Sequence, residues 1–130
     1  MDFPAIPAET EAIARSAVDA GMKVHAAMGP GLLESAYEHC LARELQNRGI
    51  DVVRQVVLPI EYAGAKLDAG YRIDLWIGRT VIVEVKSIDH LAAIHQAQLL
   101  TYLRLSNCRL GFLMNFNVPL FKDGIKRLVL

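Results

Sequence analysis

Tyr71-Arg72-Ile73-Asp74 and, past a Gly78-Arg79 turn, Ile82-Val83-Glu84-Val85-Lys86 place two carboxylates and an ammonium on adjoining apolar strands. Strand side chains alternate between faces, so Glu84 and Lys86 share one face while Val81, Val83 and Val85 share the other. Ile82 is apolar as well, so the second strand reads as buried on both faces, where an uncompensated carboxylate costs several kcal/mol. Asp74, with Arg72 and Trp76 on its own face of the neighbouring strand, can converge on Glu84 across the pair. Two convergent carboxylates make a hard-cation site suited to Mg²⁺ or Mn²⁺. A neighbouring lysine can then orient or deprotonate a water, or offset charge building on a phosphate. The competing reading of Glu84 and Lys86 is a structural ion pair.

A chain of 130 residues with 53% hydrophobic content fits one compact domain, here taken as 1–130. Fourteen basic residues cancel fourteen acidic ones, so no global field recruits nucleic acid and any phosphate-binding surface must be local. Cys40 and Cys108 lack a CxxC partner or a His-rich neighbourhood, which argues against zinc and for two reduced, mostly buried thiols in a cytoplasmic protein. Met1-Asp2-Phe3-Pro4-Ala5 shows neither a basic n-region nor an apolar h-region, and no later run is long enough to span a membrane. The expectation is a soluble, unexported protein without a membrane partner.

Helical spacing of Ile13, Ala17, Ala20, Val24 and Ala27 predicts a first helix from about Glu9 to Met28. Gly29-Pro30-Gly31 ends it and opens a second, with Leu33, Tyr37, Cys40, Leu41 and Leu45 as its apolar stripe, Glu34 in its first turn and Gly49 as its stop. Val52 to Tyr62 reads as a strand interrupted at Pro59, so bulged or at an edge. The Asp74 and Glu84 strands follow a Gly64 turn. Leu91, Ile94, Ala97, Leu100 and Leu103 predict a helix that covers one sheet face, Leu110 to Phe116 a returning strand, and Lys126 to Leu130 a last short one. The order α-α-β-β-β-α-β predicts an α/β layer fold, a central mixed sheet flanked by helices.

Read in this order, Gly31-Leu32-Leu33-Glu34-Ser35-Ala36-Tyr37 matches the signature GxxExxY, and Val24-His25-Ala26-Ala27-Met28-Gly29-Pro30 before it is typical of the same proteins. The chain thus resembles the GxxExxY family, placed in the PD-(D/E)xK nuclease superfamily with its restriction-endonuclease-like core. The resemblance covers about Val24 to Leu130. It implies Asp74 as the metal-binding acid, Glu84 as the second acid and Lys86 as the lysine. Glu34 corresponds to the helical acid of the helicase-associated exonuclease branch, and Gln98 and Tyr102 to that branch's QxxxY motif. The proline that often precedes the first acid is replaced by Ile73.

Two or three protein oxygens suffice for Mg²⁺: Asp74, Glu84 and the carbonyl of Val85, with Glu34 able to hold a coordinated water or a second ion. An acid in the first turn of a helix is also explained by the helix dipole alone. Gln98 and Tyr102, four apart, share a helix face with His95, either as part of the site or as a solvated stripe. His25, near a helix end, reads as a carbonyl cap or a satisfied core residue, and Lys122, Lys126 and Arg127 as a soluble hairpin or a phosphate-tracking patch. The function expected is a Mg²⁺-dependent nuclease hydrolysing DNA, with a homo-oligomer or a protein partner as a source of specificity. The alternatives are a catalytically silent nucleic-acid-binding or protein-interaction module, and a metal enzyme acting on a small phosphorylated molecule.

Overall fold

In a computed structural model the described residues are 4–130. The leader-free reading of Met1 to Ala5 therefore falls partly on residues 1–3, outside the described residues. Helix α1 (Ala8–Met28) and α2 (Glu34–Asn47) precede strand β1 (Val52–Val57), a hairpin of β2 (Ile60–Tyr62) and β3 (Ala65–Leu67), then β4 (Arg72–Ile77) and β5 (Val81–Lys86). Helix α3 (Ala93–Ser106), β6 (Leu110–Asn115), a 3-10 turn at Phe121–Gly124 and β7 (Ile125–Val129) complete the order. The main sheet has five strands in the order β1-β4-β5-β6-β7, parallel only between β5 and β6, which α3 connects as a crossover. This is the expected mixed sheet with flanking helices.

Pro59 does more than bulge the predicted Val52–Tyr62 strand. It divides it, because proline cannot donate to a ladder, so β1 stays in the main sheet while β2 leaves it to pair with β3. No helix among the described residues is long and apolar enough to cross a membrane.

Helices α1 and α2 cover one sheet face. Small residues Ala14, Ala17, Ala20 and Gly21 let α1 approach closely, and a Cβ added at Gly21 would stand 2.6 Å from the Phe121 ring. Tyr37, Leu41 and Leu45 of α2 join Leu75, Ile77, Val81, Val83 and Val85 in this layer, while Ala27 and Leu33, expected in the apolar stripes, are exposed. His25 is satisfied in this core: its Nε2 lies 2.7 Å from the Val118 carbonyl, and its ring packs on Phe121.

Helix α3 covers the other face with Leu99, Tyr102 and Leu103 against Ile73, Ile82 and Leu113. Of the expected α3 stripe, Leu103 is buried and Leu91 and Leu100 pack against the same layer, while two members fall outside it. Ile94 and Ala97 are exposed beside a groove, and Tyr102 is buried, because apolar residues occupy two flanks of this helix and leave its periodicity ambiguous. Arg127 pairs with Glu11 at 2.6 Å, which removes it from any free basic patch with Lys122 and Lys126.

Candidate metal and phosphate site

Face alternation slips by one residue on two adjacent strands. On β4, Leu75 and Ile77 belong to the α1–α2 layer, yet Ile73 joins Trp76 in the α3 layer. On β1, Val52 packs toward α1–α2 and Val56 toward α3. The slip is centred on Asp74 and on Gln55, which sits between the paired residues Arg54↔Leu75 and Val56↔Ile73 and has a left-handed φ of 53°. A glutamine there is under local strain, since Cβ crowds the backbone at positive φ. Asp74 therefore does not share a simple face with Arg72 and Trp76, as strict alternation predicted.

The β4–β5 ladder runs through Leu75↔Val83 and then stops. Side chains replace the missing rungs: the Asp74 N–H donates to Glu84 Oε2 at 2.8 Å, and the Val85 N–H donates to Asp74 Oδ2 at 2.9 Å. Each carboxylate thus satisfies a main-chain donor that strand pairing leaves over, and the two acids are drawn together where the strands part. Glu84 is only 3% exposed. Burial raises its pKa to about 8, with the Asp74 charge the next cause, against partial relief from the Asp74 N–H and the Lys86 ammonium. Burial likewise raises Asp74 to about 6, with Glu38 and Glu34 adding to the rise and the Val85 N–H and Lys86 opposing it.

Lys86, half-buried two residues beyond Glu84, takes part in none of the ion pairs among the described residues. The structural ion pair that was the simplest reading of Glu84 and Lys86 is absent, although Lys86 is near enough for its charge to be felt by both acids.

The GxxExxY segment has a direct physical account. Gly29 and Gly31 have φ of 67° and 101°, and the Tyr37 hydroxyl donates back to the Gly29 carbonyl while accepting from the Leu32 N–H at 3.1 Å. The Tyr37 ring stacks on Phe116 at 4.6 Å, fixing the turn to the core. The Ser87 hydroxyl donates to the Leu32 carbonyl at 2.6 Å, and the Ser87 N–H reaches Glu34 Oε1 at 3.4 Å. Glu34 is thereby tied to the end of β5, on the rim of a cleft of about 510 Å³ that it lines with Glu38, Arg54, Gln55 and Asp74.

Among the described residues no three His, Cys, Asp or Glu side chains are grouped closely enough to hold a metal by themselves. The structure brings Asp74 and Glu84 together and leaves Glu34 at the rim. Val85 lies two residues beyond the last β4–β5 pair while keeping its register with Met114 of β6. The donor set nevertheless suits a hard divalent cation: the buried Glu84 and the half-buried Asp74 carboxylates lie together with no ion-pair partner among the described residues, and Mg²⁺ needs few protein oxygens because it retains waters.

Residues 11–128 match the family model described as the PD-(D/E)XK nuclease superfamily. The chain belongs to the PD-(D/E)XK nuclease superfamily. No curated protein and no solved structure gives a significant match. Members of this superfamily generally use divalent metals, in keeping with the donor set of this nuclease-superfamily domain.

Gln98 and Tyr102 part company. Both line a separate groove of about 360 Å³ with Ile60, Tyr71, His95 and Thr101. Tyr102 still senses the acids, its hydroxyl being pushed up to about 12 by burial first and then by the Glu84 and Asp74 charges. Gln98 makes no side-chain hydrogen bond among the described residues, so truncating it orphans no partner. Gln98→Ala is accordingly expected to stay within about 0.5 kcal/mol of the parent in stability and to bind Mn²⁺ normally, like the exposed control Arg104→Ala. Tyr102→Phe is expected to slow turnover roughly fivefold, the equivalent of about 1 kcal/mol. Melting curves, calorimetry and cleavage rates of the three variants check this order.

Glu38, Arg54 and Gln55 were not singled out in the sequence. Glu38 was within reach of a simple rule, since it follows Glu34 by four residues and so lies on the same helix face.

Proposed function

We propose that this domain, acting as one unit over 1–130, is a Mg²⁺-dependent nuclease (Mn²⁺ substituting) of the GxxExxY branch that hydrolyses DNA phosphodiester bonds in the cytoplasm. The observation that carries the reading is the reciprocal Asp74–Glu84 arrangement at the strand split, with Lys86, two residues on, in no ion pair among the described residues. Asp74, Glu84 and the Val85 carbonyl would hold the ion, with Glu34 reaching it through a water. When bound, a divalent cation supplies Lewis acidity at the phosphoryl oxygen and a more acidic water.

The chain's own groups do the rest. The Val85 and Asp74 N–H groups fix the two carboxylates, so little reorganisation is needed on binding substrate. Lys86 holds the attacking water in line or neutralises charge on the phosphoryl oxygens, and it is free for that work because no carboxylate among the described residues pairs with it. Tyr102 offers a protonated hydroxyl from the α3 side. Zero formal net charge means that DNA is drawn by local contacts rather than by the field of the whole molecule.

The test is to incubate purified protein with linear, circular and single-stranded DNA and with RNA, in Mg²⁺ and in Mn²⁺, beside Lys86→Ala. Divalent-dependent DNA cleavage that Lys86→Ala lacks is the expected result. Binding without cleavage in both ions would favour a silent nucleic-acid-binding module.

A further inference from the structure

Resting on the metal-dependent reading above, we propose that Gln55 is a positioning residue for Asp74, anchored by the buried carboxylate of Glu38. Glu38 is 5% exposed and divides its two oxygens between successive residues of β1: Oε2 accepts from Arg54 Nη2, and Oε1 accepts from Gln55 Nε2 at 2.7 Å. Successive residues of a regular strand point to opposite faces, so one carboxylate should not reach both. The left-handed φ of 53° at Gln55 makes it possible, turning that side chain to the α2 side beside Arg54.

From there the same Nε2 reaches Asp74 Oδ1 at 3.3 Å. Both amide hydrogens face carboxylate oxygens, which fixes the orientation of the amide, because its carbonyl oxygen could accept from neither. Asp74 is then held on both sides, by Gln55 at Oδ1 and by the Val85 N–H at Oδ2. Gln55 is neutral, so it orients Asp74 without neutralising the charge a cation requires, as an arginine or lysine in its place would. Arg54 pairs with Glu38 and makes no hydrogen bond to Asp74 among the described residues, so the contact with Asp74 is left to the neutral amide. The strained glutamine is explained by this contact: backbone preference alone would favour glycine or asparagine at that position.

Those two residues supply the test. Gln55→Gly relieves the left-handed backbone and deletes the amide, while Gln55→Asn tolerates the same backbone with a side chain one methylene too short to span Glu38 and Asp74. Mn²⁺ affinity, measured by titration calorimetry, is expected to fall about tenfold in both, as outer-shell changes commonly do. Melting temperature without metal should stay near the parent's in Gln55→Asn, whose amide can still serve Glu38, while in Gln55→Gly the relieved backbone and the donor lost from Glu38 oppose each other. Parent-like Mn²⁺ affinity in both variants would overturn the assignment, as would a loss seen only where the melting temperature also falls. A parent protein that binds no Mn²⁺ would sink the nuclease reading and this inference together, whereas a binding parent with unaffected variants sinks the inference alone.

Discussion

Lys86→Ala is expected to bind Mn²⁺ like the parent and to cleave DNA about 10²–10³-fold more slowly, the usual cost of removing one preorganised group that meets charge in the transition state. The two acids retain their main-chain donors in this variant, because neither the Asp74 nor the Val85 N–H depends on the lysine. Melting curves should show the variant folded, since Lys86 is half-buried and holds no ion-pair partner among the described residues. Lys86→Arg should not restore cleavage, because a planar guanidinium is bulkier and presents its donors in a fixed fork. Single-turnover cleavage of a labelled duplex checks both variants. An active Lys86→Arg would reduce Lys86 to a countercharge.

Glu84→Gln is expected to melt higher than the parent at pH 8 without metal. Burial and Asp74 raise Glu84 from 4.5 to about 8, and Asp74 itself rises from 3.8 to about 6. The folded protein therefore holds protons that the unfolded chain releases. With fewer protons bound by the unfolded state, stability falls as pH rises. The contribution of these two groups is fully favourable below about pH 4, declines from there to about pH 8, and is flat above it. Replacing the buried Glu84 with a neutral isostere that still accepts from the Asp74 N–H should recover on the order of 3 kcal/mol at pH 8, or roughly 10 °C. Asp74→Asn should gain less, since solvent reaches that carboxylate and screens it. Adding Mn²⁺ should stabilise the parent and neither variant. Melting curves between pH 4 and 9 check the sign. A parent whose stability is flat over that range would contradict the mutually repelling pair built on the buried Glu84.

The sheet and its acids were legible because apolar β-branched runs broken by Gly64 and Gly78-Arg79 leave little freedom in strand order, and Glu84 inside such a run demands compensation. The geometry that brings the acids together was not legible. It rests on main-chain donors left over where the β4–β5 ladder ends, which no residue pattern marks, and the neighbouring Gln55 sits in a left-handed conformation that sequence rules reserve for glycine and asparagine, so nothing marked Gln55 or its link to Glu38. The division at Pro59 was half visible: a proline announces an interrupted strand, but pairing of β2 with β3 follows from tertiary context. Helix α3 misled for a different reason. Ile94 and Ala97 extend its apolar pattern onto the groove flank, so spacing grouped them with Leu91, Leu100 and Leu103, which do pack on the sheet, and passed over Leu99 and Tyr102.

The most direct measurement is a Mn²⁺ titration by calorimetry at pH 8 of the parent, Asp74→Ala and Glu84→Ala, with melting curves showing that all three are folded. Saturable binding by the parent and none by either variant is the expected result, because removing one ligand from a two-carboxylate site opens the coordination shell. Binding of equal affinity in all three folded proteins would place the cation elsewhere and contradict the site built on Asp74 and Glu84.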